Sequence, residues 1–209
     1  MKISDNTIGI LRNFSDINAN ILFKPGKSLS TMSTMKNIMA QADVEEEFES
    51  EFGVYDLPEF LRAIDSFQQP VLKFNGTANL KIQDEKSTLS ARYAFADKST
   101  LRYPSKQISM PDKTVTFSLK NSDYESVKKI YTNLSLPDIA FKGEKGKIKL
   151  VALDKKNSNS NESSVTVGET DLEFTAYIKA ENMKIIPGDY DVALSCLLYT
   201  SPSPRDSRK

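Results

Sequence analysis

The sequence predicts an α+β protein made of two similar halves. In each half a helix is followed by a run of short strands, a second helix begins directly after a strand, and more strands follow. The predicted helices begin at positions 6 and 57 in the first half and at positions 122 and 180 in the second. A doubled unit with polar helix faces and no catalytic cluster indicates a scaffold that encloses something, and does not indicate an enzyme.

The composition limits the possible classes of protein. A length of 209 residues allows one or two domains, and 39% hydrophobic residues are enough for packed cores. With no His and a single Cys, Cys196, we expect no disulfide framework, no metal and no cofactor. The 28 basic residues balance the 28 acidic ones, which excludes a nucleic-acid binder that grips by bulk charge. Because the sequence has neither a membrane-spanning run nor a leader, we expect a cytoplasmic protein.

Both helices of the first half are predicted from apolar periodicity and capping residues. The first covers Asn6–Asp16, where apolar residues recur with the spacing of one helix face. The second covers Leu57–Phe67 and begins with a capping-box-like pair, Asp56 and Glu59, while Pro58 suits its first turn. The buried stripe of this second helix is predicted to comprise Leu57, Phe60, Leu61, Ile64 and Phe67.

The helices of the second half are predicted in the same way. Ser122–Asn133 begins with another capping box, formed by Ser122 and Glu125, and its polar face carries lysines. Ala180–Ile186 is shorter and is expected to end at the Pro-Gly pair at 187–188.

Strands are predicted where apolar and polar residues alternate between turn signals. In the first half they are Asn20–Phe23, Lys27–Met32, Asn37–Val44, Val71–Phe74, Ala78–Ile82 and Thr88–Phe95. In the second half they are Thr114–Leu119, Asp138–Phe141, Lys147–Leu153, Val165–Val167 and Asp171–Ile178. The acidic run at 45–51 is interpreted as strand with a solvated face, and residues 155–164 as a mobile polar loop.

The chain is expected to form two domains joined by a connector. The first domain covers residues 1–95 and the second covers residues 114–194. Residues 96–113 carry Pro104 and Pro111 among polar residues and lack periodicity, so they are interpreted as the connector.

The last residues are interpreted as foreign to the protein. The stretch CLLYTSPSPRD at 196–206 can be written back into the codons of an adaptor used in transposase-based sequencing libraries; a Pro-rich disordered tail is the alternative. Leaving out residues 195–209 gives 25 basic and 27 acidic residues. Several strands follow the second helix of the first half. After the second helix of the second half, residues 187–194 are too few to form the equivalent strands. The second domain is therefore expected to be incomplete at its C-terminal end.

Four segments carry a resemblance to a known family. They are MKISDNTIGILRNFSDINANILFKPG at the start, VYDLPEFL at Val54–Leu61, GKIKL at Gly146–Leu150 and ENMKIIPGDYDV at Glu181–Val192. In their order and spacing the sequence resembles the sliding clamps of tailed bacteriophages, which are DNA polymerase processivity factors. The similarity extends to Leu194 and is weaker at 68–113.

The resemblance implies the DNA clamp fold. In that fold each of two domains places two helices on a curved antiparallel sheet, and three subunits close head to tail into a ring whose helices line the hole. The second domain would be truncated here. Closure of the sheet protects edge strands that otherwise promote aggregation, and a head-to-tail contact ends at a finite ring only when it closes.

The resemblance further implies a weak, non-specific grip on double-stranded DNA. Lysines and arginines on the helix faces would contact phosphates through counterion release without reading bases. For each residue the alternative is an ordinary solvated helix position. The DNA-facing candidates are Arg12, Arg62, Lys128, Lys129, Lys179 and Lys184, with Lys2 and Lys120 as outer positions.

Protein partners are implied as well. The family tethers a DNA polymerase and is loaded by an ATP-driven clamp loader. In these phages it also coactivates late transcription with host RNA polymerase and phage late factors, in the cytoplasm of the infected bacterium. Partners dock short C-terminal peptides in an apolar pocket between domains, for which Leu101, Tyr103 and Ile108 are the candidates here. Tyr93 and Phe95 also lie near the connector, but we expect them to pack in the core.

Two other classes of protein remain open from the sequence. A metal-dependent nuclease ranks lowest, because no Asp-x-Asp cluster lies at a strand end beside a basic partner. A phage virion structural protein, such as a β-rich tail or baseplate subunit, is the main alternative. Binding to circular DNA that is lost on linearisation would mark a clamp, whereas presence in purified particles would mark a structural protein.

Overall fold

The structure, a computed structural model, describes residues 1–105 and 113–195. The chain divides into two units, residues 1–107 and residues 108–209, and the division falls inside the predicted connector. Ile108 and residues 196–209, the segment interpreted as adaptor sequence, lie outside the described residues.

The first unit has two α-helices and seven strands among its described residues. In chain order they are α1 (Asp5–Ile17), β1 (Ile21–Phe23), β2 (Gly26–Met32), β3 (Met39–Phe48), β4 (Phe52–Val54), α2 (Leu57–Asp65), β5 (Pro70–Asn75), β6 (Asn79–Asp84) and β7 (Ser90–Ala94). Both helices and all six strands predicted for this half are present, and β4 is added to them. Strand β3 continues into the acidic stretch and ends at Phe48, so the interpretation of residues 45–51 as strand is confirmed for 45–48 and is wrong for 49–51, which lie between β3 and β4.

Local residue pairs determine where α1 and α2 begin. The Ser4 hydroxyl accepts a hydrogen bond from Thr7 N at 3.3 Å, and the Asp56 carboxylate accepts one from Glu59 N at 2.8 Å. Pro58 lies in the first turn of α2, where it lacks only a hydrogen bond that the helix could not make. The predicted cap of α2 is therefore confirmed.

The buried faces of the two helices pack on antiparallel sheets. The strands pair as β2–β3, β1–β4 and β5–β6–β7. An aromatic cluster fills the core, in which Phe23 stacks on Phe52 with ring centroids 4.4 Å apart and lies 5.0 Å from Phe48. Burial of these faces leaves the opposite sides of α1 and α2, with Arg12 and Arg62, exposed to solvent.

The second unit has one α-helix and six strands among its described residues. They are β8 (Val115–Leu119), α3 (Asn121–Asn133), β9 (Asp138–Glu144), β10 (Lys147–Leu153), β11 (Ser163–Glu169), β12 (Phe174–Lys179) and β13 (Tyr190–Leu194). Four of the strands form an antiparallel sheet in the order β11–β10–β9–β12, and β13 pairs with β8. Tyr124 and Val127 of α3 are buried in this unit's core with Ile139, Leu150 and Ala176 of the sheet.

The start of α3 differs from the prediction. The capping box of Ser122 and Glu125 is not formed, because the helix already begins at Asn121 and has no side-chain cap on its own N-terminal residues. Instead, Asn121 N donates a hydrogen bond to the Asp189 carboxylate at 2.8 Å. This partner lies 68 residues further along the chain, so no local pattern could indicate it.

The predicted fourth helix at Ala180–Ile186 is wrong. The segment forms a single 3-10 turn, Ala180–Asn182, and then continues without helical structure. The Tyr124 hydroxyl donates to Met183 O at 3.1 Å, and Met183 and Ile185 pack against the core at an extended spacing of two. The proline that follows disfavours helical geometry in the residue before it. A segment of seven residues gains too little from helical hydrogen bonds to overcome these contacts.

Candidate nucleic-acid interface

The exposed sides of α1 and α2 carry more carboxylates than guanidinium groups. The exposed charged residues are Asp5, Arg12 and Asp16 on α1 and Glu59, Arg62 and Asp65 on α2. Four acidic and two basic groups give this surface a net charge of −2. Any attraction to a phosphate backbone must therefore come from individual guanidinium groups.

Arg12 is paired across the two helices with Asp65. One nitrogen of its guanidinium, Nη2, donates to both carboxylate oxygens, at 2.9 Å each. The two side chains are 58% and 50% exposed, so water screens the pair and its contribution to stability is about 0.2–1 kcal/mol. Arg12 is thus accessible to a phosphate, but its guanidinium group is already hydrogen-bonded to Asp65. The sequence identified this cation and missed its partner, which lies 53 residues away.

Arg62 lies one helical turn before Asp65 on α2. Its side chain is exposed and forms no ion pair among the residues that the structure describes. An arginine fork without a carboxylate partner can bind a phosphate with two parallel hydrogen bonds. In the first unit it is the predicted DNA-facing residue with the weakest competition from carboxylates.

The two predicted lysines of α3 also differ in whether they form an ion pair within the described residues. Lys128 is half-exposed, donates to Glu125 at 3.2 Å and lies 5.7 Å from the ring centroid of Tyr124. Lys129 is exposed and has no ion pair within the described part of the chain. Lys129 is therefore the freer of the two cations.

Lys179 and Lys184 are not on a helix, contrary to the prediction. Lys179 ends β12, and its ammonium lies 2.9 Å from Asp138 Oδ1. Burial raises the pKa of Asp138, but the ammonium of Lys179 and a hydrogen bond from the backbone of Lys155 outweigh burial and lower the pKa below its usual value. The Lys179 ammonium thus neutralises a buried carboxylate. Lys184 is half-buried in the irregular chain after the 3-10 turn.

The outer candidates also differ in their contacts. Lys2 is paired with Glu85 at 2.6 Å, while Lys120 is exposed directly before α3.

The residues predicted for a partner pocket are only partly exposed. Leu101 is buried, with 7% of its surface accessible, and its Cδ1 lies over Gly53. Its prediction as an exposed apolar residue is wrong, because the chain after β7 folds back on β4. Tyr103 is half-buried, with the ammonium groups of Lys24 and Lys98 each 5.6 Å from its ring centroid. Ile108 is not among the described residues.

Tyr93 and Phe95 are partly buried and pack against the core, as the sequence predicted. Tyr93 packs on Phe60 with ring centroids 4.9 Å apart, and Phe95 packs on Phe52 at 4.9 Å. Burial, with smaller effects from Glu59 and Asp56, raises the pKa of the Tyr93 phenol to about 12.

A buried asparagine attaches part of the predicted connector to the first unit. The Asn18 side chain donates to Met32 O and to Arg102 O, both at 2.9 Å. Asn20 Oδ1 accepts from Arg102 N at 2.9 Å. Residues 101–105 are therefore attached to the end of α1 and to the β2–β3 hairpin. No sequence signal identified Asn18, because a single asparagine after a helix is common.

Two shallow pockets lie beside residues 101–105. One, of about 280 Å³, lies between this segment and the β2–β3 turn, and the other, of about 230 Å³, lies between Pro104 and the outer side of β2 and β3. Both linings include several polar side chains.

Across residues 1–105 and 113–195 there is no group of three or more His, Cys, Asp or Glu side chains that could hold a metal. None of the described helices has the length and apolar character needed to cross a bilayer.

Comparison with solved structures defines the class of fold. The chain is similar to the PCNA2–PCNA3 complex from Sulfolobus tokodaii, with a TM-score of 0.61, 14% identity and coverage of 93% of this chain and 87% of that one. It is also similar to A. fulgidus PCNA bound to the C-terminal region of FEN-1, with a TM-score of 0.64, 13% identity and coverage of 88% and 79%. The predicted α+β DNA clamp fold is confirmed.

Comparison with known sequences defines the family. The family described as "gp45 sliding clamp, C terminal" matches residues 116–198. The sliding clamp of Vibrio phage KVP40 is 34% identical over 201 residues, which cover 93% of this chain and 90% of that protein. The sliding clamp of Escherichia phage RB69 is 32% identical over 200 residues, with coverage of 93% and 87%. The chain therefore belongs to the phage sliding clamps, the processivity factors of phage DNA replication, and the alternative of a virion structural protein is not favoured.

Proposed function

We propose that the chain is a subunit of a ring that encircles duplex DNA and tethers the phage DNA polymerase to its template. The observation that carries this proposal is the similarity to phage sliding clamps over 93% of the chain. A ring keeps its partner enzyme near the template after each dissociation, which raises the enzyme's effective concentration. The role is non-enzymatic, because a tether accelerates no chemical step.

Arg62 and Lys129 are the strongest candidates for contacts with DNA in such a ring. Both are exposed on helices and have no ion pair among the described residues. Arg12 and Lys128 can bind a phosphate only after breaking an ion pair with a carboxylate, and the carboxylate partner of Lys179 is buried. Their contributions to DNA binding are therefore smaller. These contacts are to phosphates, which makes the grip independent of base sequence.

Self-association into a homotrimer is supported by the edge strands. Strand β3 in the first unit pairs only with β2, and β11 in the second unit pairs only with β10, within the described residues. An open edge of seven to ten residues invites pairing with another chain. Head-to-tail pairing of unlike edges, continued until the ring closes, would protect these edges at a finite size.

Further partners belong to the same proposal. Tyr103 and the neighbouring pockets, together with Ile108, would receive the C-terminal peptide of the polymerase. A closed ring also needs a clamp loader to open it around DNA. Coactivation of late transcription with host RNA polymerase and phage late factors, in the cytoplasm of the infected bacterium, is the remaining expectation from the family.

Retention on circular DNA tests the encircling function. The protein is loaded on a nicked plasmid with clamp loader and ATP, and the complex is passed through a sizing column in about 0.5 M salt, where surface charges are screened beyond a few ångström. We expect the protein to stay with the circle and to be lost when a restriction enzyme linearises the plasmid. Equal retention on circular and linear DNA would contradict encirclement. Recovery of the protein from purified phage particles would instead support a structural role.

A further inference from the structure

The Arg12–Asp65 pair lies on the surface that we propose faces DNA. Arg12 comes from the middle of α1 and Asp65 is the last residue of α2, and both carboxylate oxygens accept from the same guanidinium nitrogen at 2.9 Å. Both side chains remain half-exposed. An ion pair so exposed to water is weak and can exchange its partner.

A phosphate diester would compete with Asp65 for Arg12. Carboxylate and phosphate both present oxygens that match the donors of a guanidinium group. When DNA approaches, the free energy gained by binding Arg12 to a phosphate is reduced because the hydrogen bonds to Asp65 must break. Arg62, one turn before Asp65 on the same surface, forms no ion pair among the described residues.

We propose that Asp65 acts as an internal competitor that keeps the grip of α1 on the DNA backbone weak. In the DNA-free protein Asp65 holds Arg12, and on DNA the guanidinium exchanges between Asp65 and successive phosphates. The exchange lowers the free energy needed to break each contact between Arg12 and a phosphate, which favours sliding over fixed binding. The inference rests on the proposed function, because it requires that α1 and α2 face the duplex.

Asp65→Asn tests this competition. Equilibrium binding of a labelled 30-base-pair linear duplex is measured by fluorescence anisotropy between about 50 and 200 mM salt, because a short duplex can bind without a loader. If each subunit then neutralises one more phosphate, the slope of log K against log salt should steepen by about 0.9 per subunit, and binding at the lower salt should tighten by about tenfold.

Asp5→Asn is the matched control. Asp5 lies on α1 and lines the same surface depression as Arg12 and Asp65, so Asp5→Asn changes the net charge equally but leaves the Arg12–Asp65 pair intact. The double variant Arg12→Gln/Asp65→Asn should lose the gain seen with Asp65→Asn alone. Asp65→Ser removes the same carboxylate with a different side chain and should reproduce the gain if Asp65→Asn proves unstable.

Three results would overturn the proposal. They are an equal gain from Asp5→Asn, a gain that persists without Arg12, and no measurable tightening by either Asp65 variant. Failure of the encircling function would appear separately, as equal retention of wild-type protein on circular and linear plasmids.

Discussion

Glu46 connects strand β3 to the first turn of α1. Its carboxylate accepts hydrogen bonds from Ser4 N and from the Thr7 hydroxyl, the latter at 2.5 Å. Partial burial raises the pKa of Glu46, but the hydrogen bonds from Thr7 and Ser4 outweigh burial, and the pKa lies below the usual value of 4.5. A negative charge is also favourable at a helix N-terminus. A carboxylate from a strand therefore helps the Ser4 cap and the buried face of α1 to hold this helix, and Arg12 on it, in place.

Glu46→Gln should destabilise the protein at pH 7 by about 1–2 kcal/mol, because hydrogen bonds to a neutral amide are weaker than those to a carboxylate. Since the folded-state pKa is depressed, the stabilisation is fully present above the unfolded value near 4.5 and is lost as the pH falls through the folded pKa. Urea unfolding followed by circular dichroism should show that the difference in free energy of unfolding between wild type and variant decreases as the pH falls below 4.5. Glu45→Gln, at an exposed neighbouring position, is the control, and an equal loss in both variants would refute the prediction.

Sequence separation decides which of these residue pairs could be predicted. The cap of α2 by Asp56 was predictable because donor and acceptor lie in one helical turn. The pairing of Arg12 with Asp65 was not, since it joins residues 53 positions apart, and the pairing of Lys179 with Asp138 joins two strands. Spacing alone identified the candidate cations but could not show which of them are already neutralised.

The chain after β7 covers strand β4 and requires glycine at position 53. Ala96 N donates to Gly53 O at 2.9 Å, and Leu101 packs on the same residue. A methyl group at this position would lie 2.5 Å from Leu101 Cδ1 and 2.8 Å from Ala96 O. The carbonyl belongs to the backbone that forms the bridge, so it cannot move away without separating the two segments.

Gly53→Ala should therefore destabilise the first unit by about 1–3 kcal/mol, the usual range for overpacking. Hydrogen exchange at the amides of Ala96 and Leu101 should also become faster. Gly9→Ala is the matched control, because Gly9 is exposed in α1 with no atom within 4 Å of the new methyl, and alanine there should stabilise by about 0.5–1 kcal/mol. A Gly53→Ala protein with wild-type unfolding and exchange would disprove this packing argument.

Elements whose conformation depends on their own apolar stripe were predictable, and those that depend on distant residues were not. Helices α1 and α2 begin within one residue of the predicted positions because their stripes and caps are local. The segment at 180–186 has helix-compatible residues, yet contacts with α3 hold it in another conformation. Residues 96–105 lack periodicity and were interpreted as a connector, although Asn18 and Gly53 attach them to the first unit.

The two units repeat one connection that explains the internal repeat of the sequence. In the first unit Leu57 N donates to Ala19 O at 2.7 Å, which links the start of α2 to the chain before β1. In the second unit Ala180 N donates to Pro137 O at 2.9 Å, which links the 3-10 turn to the chain before β9. The repeat therefore preserves the path of the backbone even where the helix is lost. This is why the doubled layout predicted the fold class correctly while one of its four helices was wrong.

A clamp needs a grip strong enough to assist loading and weak enough to slide. Arg62 and Lys129, which form no ion pair within residues 1–105 and 113–195, are expected to set that grip. The double variant Arg62→Gln/Lys129→Gln should lower the slope of log K against log salt for a short duplex by about 0.9 for each phosphate that is no longer neutralised. Its retention on a closed circle at high salt should be unchanged, because a topological link does not depend on charge. Lys27→Gln/Lys147→Gln, which removes one exposed strand lysine from each unit, is the control and should leave the slope unchanged. If the control lowered the slope as much as the helix variant, the helix cations would contribute no more to DNA binding than the strand lysines, and the assignment of the helices to the DNA-facing surface would be contradicted.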